Sequence, residues 1–349
     1  MRITEKLSGL DWIFFIVIVL LVSISTFVLK SISPSIYPTY FFYILAAFII
    51  FYIFVSIDFE VLEMLSKHLY IVSVVLLFIP LIVGQATRGA VRWIPIGEFS
   101  IQPSEIVKPF LVLFFASYLT EREINIFNLI KAFLFFLIPF LLILIQPSLG
   151  VALLTLIGFL GVILTLGIKK KYILFLILVF LAIFPFIWLV LQPYQRQRIQ
   201  AFLNPYRDPL GSGYNSIQAV ISIGSGKFLG RGLGEGVQTQ LQFLPEKQTD
   251  FVFAAISEEL GFIGGFLTVF GFFCIFWILT MIIEKAKNAV ARAYLSGIFL
   301  IFFSESFIHL GMNLGLLPIT GIPLPFVSAG GSALIGSSIS LAIALKAKK

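Results

Sequence analysis

Asp250 stands directly before a long apolar run, inside the segment LPEKQTDFVFAAISEELG (244–261). An aspartate at that place commonly caps a helix by accepting from its first free amides. A carboxylate at a membrane surface, beside apolar residues and under a basic loop, is equally placed to take a proton from a hydroxyl. Capping and catalysis compete for the same oxygens, and the pattern alone leaves both open. Upstream, Arg196, Arg198, Arg207, Lys227, Arg231 and Lys247 share one hydrophilic stretch with NPYRDPLGSGYNSIQAVISIGSGKFLGRGLGEG (204–236), whose eight glycines permit tight turns and close backbone approach. Arginine forks, lysine charges and backbone amides together suit a diphosphate. Each cation taken singly reads equally well as a solvated charge or a headgroup contact.

Other polar residues stand where composition does not explain them. Glu258 and Glu259 lie two turns beyond Asp250, about 12 Å along a helix, where a charge is costly and faces a cavity or a partner. Glu105 and Lys108 are spaced i,i+3 and so share one helix face; they read as a structural ion pair, with lining of a substrate cavity as the alternative. Glu305 and His309, four apart, offer too few ligands for a metal, and the expectation is a buried hydrogen bond. The stretch LLPITGIPLPFVSAGGSALIG (316–336) combines three prolines with a Gly pair opening a helix. Irregular backbone at membrane depth is tolerated only where protein or a cavity surrounds it, and helix N-termini attract anions. Ser328, Gly330 and Gly331 are therefore candidate binding residues.

The elements that must position these groups follow from composition. Of 349 residues 59% are hydrophobic, 12% are charged and 40 are Phe, against about 25% charged in soluble chains, which excludes a water-soluble fold. Apolar runs long enough for a hydrocarbon layer of about 30 Å recur throughout, without the alternation of a membrane barrel. The sequence predicts an all-α polytopic membrane protein, one integral domain over 1–349, with ten helices at 10–30, 39–57, 69–84, 104–119, 127–145, 148–167, 172–192, 250–283, 289–313 and 325–345. The first run is too long for a signal-peptide core and reads as a retained helix. An even number puts both termini on one side, and Arg2, Lys6, Lys67, Arg122, Lys131, Lys169 to Lys171, Lys285, Lys287, Arg292, Lys346, Lys348 and Lys349 make that side the cytoplasm. One large extracytoplasmic loop, 193–249, then separates helices seven and eight. The net charge of +7 is explained largely by this bias and implies no nucleic acid. Cys274, the single cysteine, lies in an apolar helix and reads as packing.

These stretches together resemble the SEDS (shape, elongation, division and sporulation) family, closer to its RodA-like branch than to FtsW. The carrying motifs are RWIPIGEFSIQPSEIVK (92–108), NPYRDPLGSGYNSIQAVISIGSGKFLGRGLGEGVQTQLQFLPEKQTDF (204–251), EELGFIGG (258–265) and GLLPITGIPLPFVSAGGSALI (315–335). The resemblance covers essentially the whole chain. It implies a peptidoglycan glycosyltransferase of the bacterial cytoplasmic membrane that polymerises lipid II on the outer face for cell elongation. It also implies a class B penicillin-binding protein and other elongation-machinery membrane proteins as partners, and Asp250 as the catalytic carboxylate. By motif position, Arg92, Gln102, Glu105, Lys108, Arg196, Arg198, Lys227, Arg231, Lys247, Glu258, Ser328, Gly330 and Gly331 are the candidate substrate-binding residues. No acidic cluster predicts a protein-built metal cage; a divalent cation, Mg or Mn, held mainly by substrate phosphates stays open. Ser148 replaces the acid of the family's QPDLG, Gln248 a common His, and Ala329 the usual Tyr of SYGGS. A flippase for lipid-linked precursors and a non-catalytic scaffold are the alternatives, the latter making Asp250 a cap.

Overall fold

The computed structural model describes residues 9–83, 85–87, 90–97, 99–167 and 192–348. Six described helices are long and apolar enough to cross a membrane: Trp12–Ile32, Tyr37–Val55, Ser66–Val83, Ile126–Ile145, Val252–Lys285 and Ala289–Asn313; Lys108–Thr120, Leu149–Leu164 and Gly331–Lys346 are shorter apolar helices. They lie on nine of the ten expected spans. The tenth, 172–192, falls outside the described residues up to its last position, as do Lys169 to Lys171. The chain is a mostly helical polytopic membrane protein. Large apolar side chains such as Phe41, Phe48, Phe127, Phe266 and Trp277 are exposed on the long helices, while Gln102, Glu105, Lys108, Glu258, Glu305 and His309 are buried. This inversion suits lipid as the surrounding solvent.

Three expectations are corrected. The fourth span does not run unbroken from 104, because Pro109 carries no N–H for the ladder; a short helix Pro103–Ile106 meets Lys108–Thr120 at Val107. The last helix begins at Gly331 rather than 325, since Phe326 takes a left-handed backbone, φ 62°, that a right-handed helix cannot contain. Helices are also not the only element. Gln85–Thr87, Ala90–Ile96 and Phe99–Ile101 pair antiparallel as a three-stranded sheet, moored to the helix Tyr37–Val55 where Ser100 N–H donates to Tyr43 Oη and Tyr43 O–H donates to the Ser100 carbonyl, both at 3.0 Å.

The long interruption 193–249 is structured. It carries the helices Pro193–Leu203, Tyr214–Ser225 and Val237–Gln240, and Tyr214–Ser225 packs along Val252–Lys285. The latter helix is broken at Gly261, with φ 66° and ψ −159°. The break is filled from the loop: Arg231 and Gly232 N–H donate to the Glu258 and Glu259 carbonyls at 2.9 and 3.0 Å, and Phe262 N–H donates to the Lys227 carbonyl at 2.9 Å. Backbone groups orphaned by the break at membrane depth are satisfied by other protein backbone. A Cβ on Gly261 would lie 2.2 Å from Gly230 N, and the positive φ disfavours any other residue. Gly261→Ala is expected to cost about 2 to 5 kcal/mol, read as a lowered melting midpoint of the detergent-solubilised chain; an unchanged midpoint contradicts this account of the break.

Candidate active site

Asp250 precedes the helix Val252–Lys285 without being its N-cap residue. That place belongs to Phe251, which offers no side-chain cap. The third amide of the helix, Ala254 N–H, donates instead to Asn313 Oδ1 at 3.0 Å. Three consecutive carbonyls around the acid are each engaged. The Gln248 carbonyl accepts from Ala329 N–H at 2.9 Å, the Thr249 carbonyl from Ser328 Oγ at 2.7 Å, and the Asp250 carbonyl from Asn313 Nδ2 at 3.0 Å. The proline-rich stretch and the end of Ala289–Asn313 thus grip the main chain that carries the aspartate.

Basic groups face it. The helix Pro193–Leu203, started by Pro at its first position, brings in Arg198, whose Nη1 donates to the Ile319 carbonyl at 3.3 Å and whose guanidinium lies 5.8 Å from the Tyr194 ring centroid. Gly321 lies beside both groups: a Cβ there would be 3.7 Å from Arg198 Nη1 and 3.7 Å from Asp250 Oδ2. With φ +70°, that position leaves the space next to the two groups clear of a side chain. Arg92 arrives on the middle strand, half-buried, with its Nε buried and without a hydrogen-bond partner. Burial pushes its guanidinium down from its ordinary value, against the pull of Tyr194 and Asp250 and with repulsion from Arg198. Arg196 stands half-buried on the Arg198 helix. A carboxylate beside a cluster of guanidinium groups can accept a proton while developing phosphate charge is held next to it.

The other candidates are placed differently. Glu258, expected to bind substrate, is fully buried and caps a loop helix from outside: its oxygens accept from Gln238 N–H at 2.8 Å, Thr239 N–H at 3.0 Å and Ser222 Oγ at 3.3 Å. Glu259 Oε1 accepts from Ser31 Oγ, Gly234 N–H and Gln240 Nε2. Lys247, expected at the diphosphate, is buried and donates to the Thr239 carbonyl; burial lowers its ammonium from its ordinary value, opposed by Glu259 and Glu258. These three hold the loop to the helix. Lys227 and Arg231 are exposed, with Arg231 Nε donating to the Ser225 carbonyl at 3.0 Å, and their main chain belongs to the plug in the helix break.

Lys108 sits between two acids, 2.7 Å from Glu105 Oε2 and also paired with Glu305, all three buried. The structural reading of Glu105 and Lys108 therefore gains a third member from another helix. Glu305 and His309 do not bond one another: Glu305 takes Lys108, and His309 Nδ1 meets the Ile322 carbonyl at 2.8 Å. Gln102, buried, donates its N–H to Ser332 Oγ at 2.8 Å and its side-chain amide to Ser104. Gly331 abuts the Tyr43 ring and Gly330 caps the last helix. Ser328, besides holding Thr249, accepts from Leu324 N–H. These residues shape the gripping loop. Sequence reasoning missed Tyr194, Gly321 and Asn313; Asn313, a buried amide at the end of an apolar helix, was the legible signal. Among the described residues no three His, Cys, Asp or Glu side chains converge on a metal position.

With this geometry in view, the likenesses to known proteins fall into one group. The profile of the FtsW/RodA/SpoVE cell cycle proteins matches residues 6–349. The chain is 38% identical over 280 residues to the peptidoglycan glycosyltransferase MrdB of Escherichia coli, covering 79% of this chain and 75% of that one. It is 33% identical over 362 residues to a probable peptidoglycan glycosyltransferase FtsW of Wigglesworthia glossinidia brevipalpis, covering 98% and 94%. A solved peptidoglycan synthase complex, described as coordinating polymerization and crosslinking, contains a chain that superposes with a TM-score of 0.85 at 27% identity, covering 98% of both. The rod shape determining protein RodA of Thermus thermophilus has the same fold, with a TM-score of 0.74 at 23% identity over 98% of this chain and 97% of that one. The chain belongs to the FtsW/RodA/SpoVE family, a group of multi-pass membrane proteins of cell-wall synthesis. Its activity is that of a peptidoglycan glycosyltransferase.

Proposed function

We propose that this enzyme polymerises lipid II at the outer face of the bacterial cytoplasmic membrane, for elongation, beside a class B penicillin-binding protein that cross-links the product. The observation that supports it most is the Asp250 carboxylate and the Arg198 guanidinium both beside Gly321, with Arg92 in the same electrostatic neighbourhood. Ionised Asp250 accepts the proton of the acceptor GlcNAc C4 hydroxyl as that oxygen attacks the anomeric carbon of the donor MurNAc. The bond from that carbon to the diphosphate breaks, its electron pair leaves with undecaprenyl diphosphate, and the α linkage becomes β-1,4 in one displacement. One carboxylate as base with inversion is the logic of inverting glycosidases.

Arg92, Arg198 and Arg196 stabilise the departing diphosphate as charge develops. A divalent cation at this point, Mg or Mn, would take its ligands chiefly from phosphate oxygens. The test is polymerisation of purified lipid II by the chain with and without a class B partner, read as glycan length on gels. Polymer supports the reading. Lipid translocation across vesicles without polymer in either condition replaces it with a transporter. Arg198→Ala is expected to lower kcat/KM about 10- to 100-fold, and Arg198→Lys to recover only part, because the ammonium lacks the guanidinium fork; full activity in Arg198→Ala removes that arginine from the diphosphate.

A further inference from the structure

We propose that Asn313 is the positioning residue of Asp250, and this rests on Asp250 being the base. A base must be held to within a fraction of an ångström of the hydroxyl it serves. Asp250 sits before the helix starts, in a turn whose Thr249 and Phe251 N–H both donate to the Glu246 carbonyl, so helical hydrogen bonding does not fix it. Asn313 supplies the missing constraint. Its side chain is fully buried, and one planar amide makes three bonds: Nδ2 donates to the Asp250 carbonyl at 3.0 Å and to the His309 carbonyl at 2.8 Å, and Oδ1 accepts from Ala254 N–H at 3.0 Å.

The two halves of this amide have different consequences. The oxygen caps a helix, which any acceptor could do. The nitrogen ties the carbonyl of the acid to a second helix, and the whole arrangement needs two donors and an acceptor on one planar group, which among side chains only the amides of Asn and Gln carry. Packing alone would be met by leucine. The amide therefore frees the Asp250 side chain from capping and sets where its main chain stands.

Steady-state polymerisation of lipid II by the full chain in detergent, comparing wild type, Asn313→Leu, Asn313→Asp and Asp250→Asn, separates the roles. Buried between the Asp250 and His309 carbonyls, a carboxyl in place of the amide keeps an acceptor and has at most one of the two donors. Asn313→Asp is expected to fold, to hold KM for lipid II within about two-fold and to lose kcat by about 10-fold or more; Asn313→Leu, which keeps packing alone, should fall at least as far. A kcat in either folded variant within about two-fold of wild type, beside an inactive Asp250→Asn, overturns positioning and leaves the base standing. Polymer from Asp250→Asn overturns the base itself, and the proposal with it. If neither Asn313 variant folds, the amide is a folding residue and the proposal fails.

Discussion

Asp250→Asn should abolish glycan formation while leaving the chain folded. The expected loss is about 10²-fold at the least, the range for removing a general base. Carboxylate and amide have nearly the same shape, so the side chain still fills its place beside Gly321, and asparagine is as good a cap as aspartate. Capping is in any case not at stake, since the third amide of the helix is served by Asn313. What the substitution removes is the basic oxygen and the negative charge facing Arg92 and Arg198. A scaffold that needs only the fold predicts normal growth support and normal partner binding by this variant. A base predicts none of the polymer in the lipid II assay, with an unchanged melting midpoint and intact lipid II binding. Polymer at more than about a tenth of the wild-type rate would falsify the role of base.

Much of this architecture was legible from hydropathy alone, because a bilayer imposes the same demand on every spanning helix. Nine expected spans meet described helices within a few residues at most ends. The failures have a common physical cause. Local pattern reports what one segment does by itself, whereas the break at Gly261 exists because residues 227–232 supply backbone partners from some thirty residues away in sequence. The glycines of both stretches were visible; their pairing was not. Glu258 looked like a ligand group because charge at membrane depth commonly marks function, and Lys247 because a basic loop suits a diphosphate, yet each is satisfied by the loop it holds down. Asp250 and Arg198 were readable as chemistry. They meet beside Gly321, whose left-handed backbone no hydropathy pattern reveals.

The departures from the family pattern can be placed in the same terms. Ser148 is buried at the start of the helix Leu149–Leu164, and the neighbouring Pro147 carbonyl accepts from Tyr194 O–H at 3.2 Å. Tyr194 in turn lies beneath the Arg198 guanidinium, so the loop around 147–148 supports the basic side of the site through main chain. Gln248 and Ala329 meet each other through backbone, Ala329 N–H to the Gln248 carbonyl. A contact made by main-chain atoms tolerates a change of side chain at both of its residues, which accounts for two departures falling together without loss of the grip on Asp250.

Lys108→Ala is expected to be the most damaging single change to the fold. The ammonium pairs with both Glu105 and Glu305, and all three side chains are buried. Its removal leaves two carboxyl groups that must be protonated or remain charged out of water, and breaking a buried pair in this way costs about 3–5 kcal/mol. Folded yield and melting midpoint should both collapse. The triple variant Lys108→Met, Glu105→Gln, Glu305→Gln carries no buried charge at these positions and similar volume, and such replacements are commonly neutral. It should recover the midpoint of wild type, which tests the electrostatic account independently of activity. Its polymerase rate then separates the two readings of the cluster. A stable triple variant with near wild-type kcat makes the cluster a structural clasp between helices. A stable variant that binds lipid II and makes no polymer assigns the charges to the chemistry, because stability, packing and substrate binding have all been restored without them.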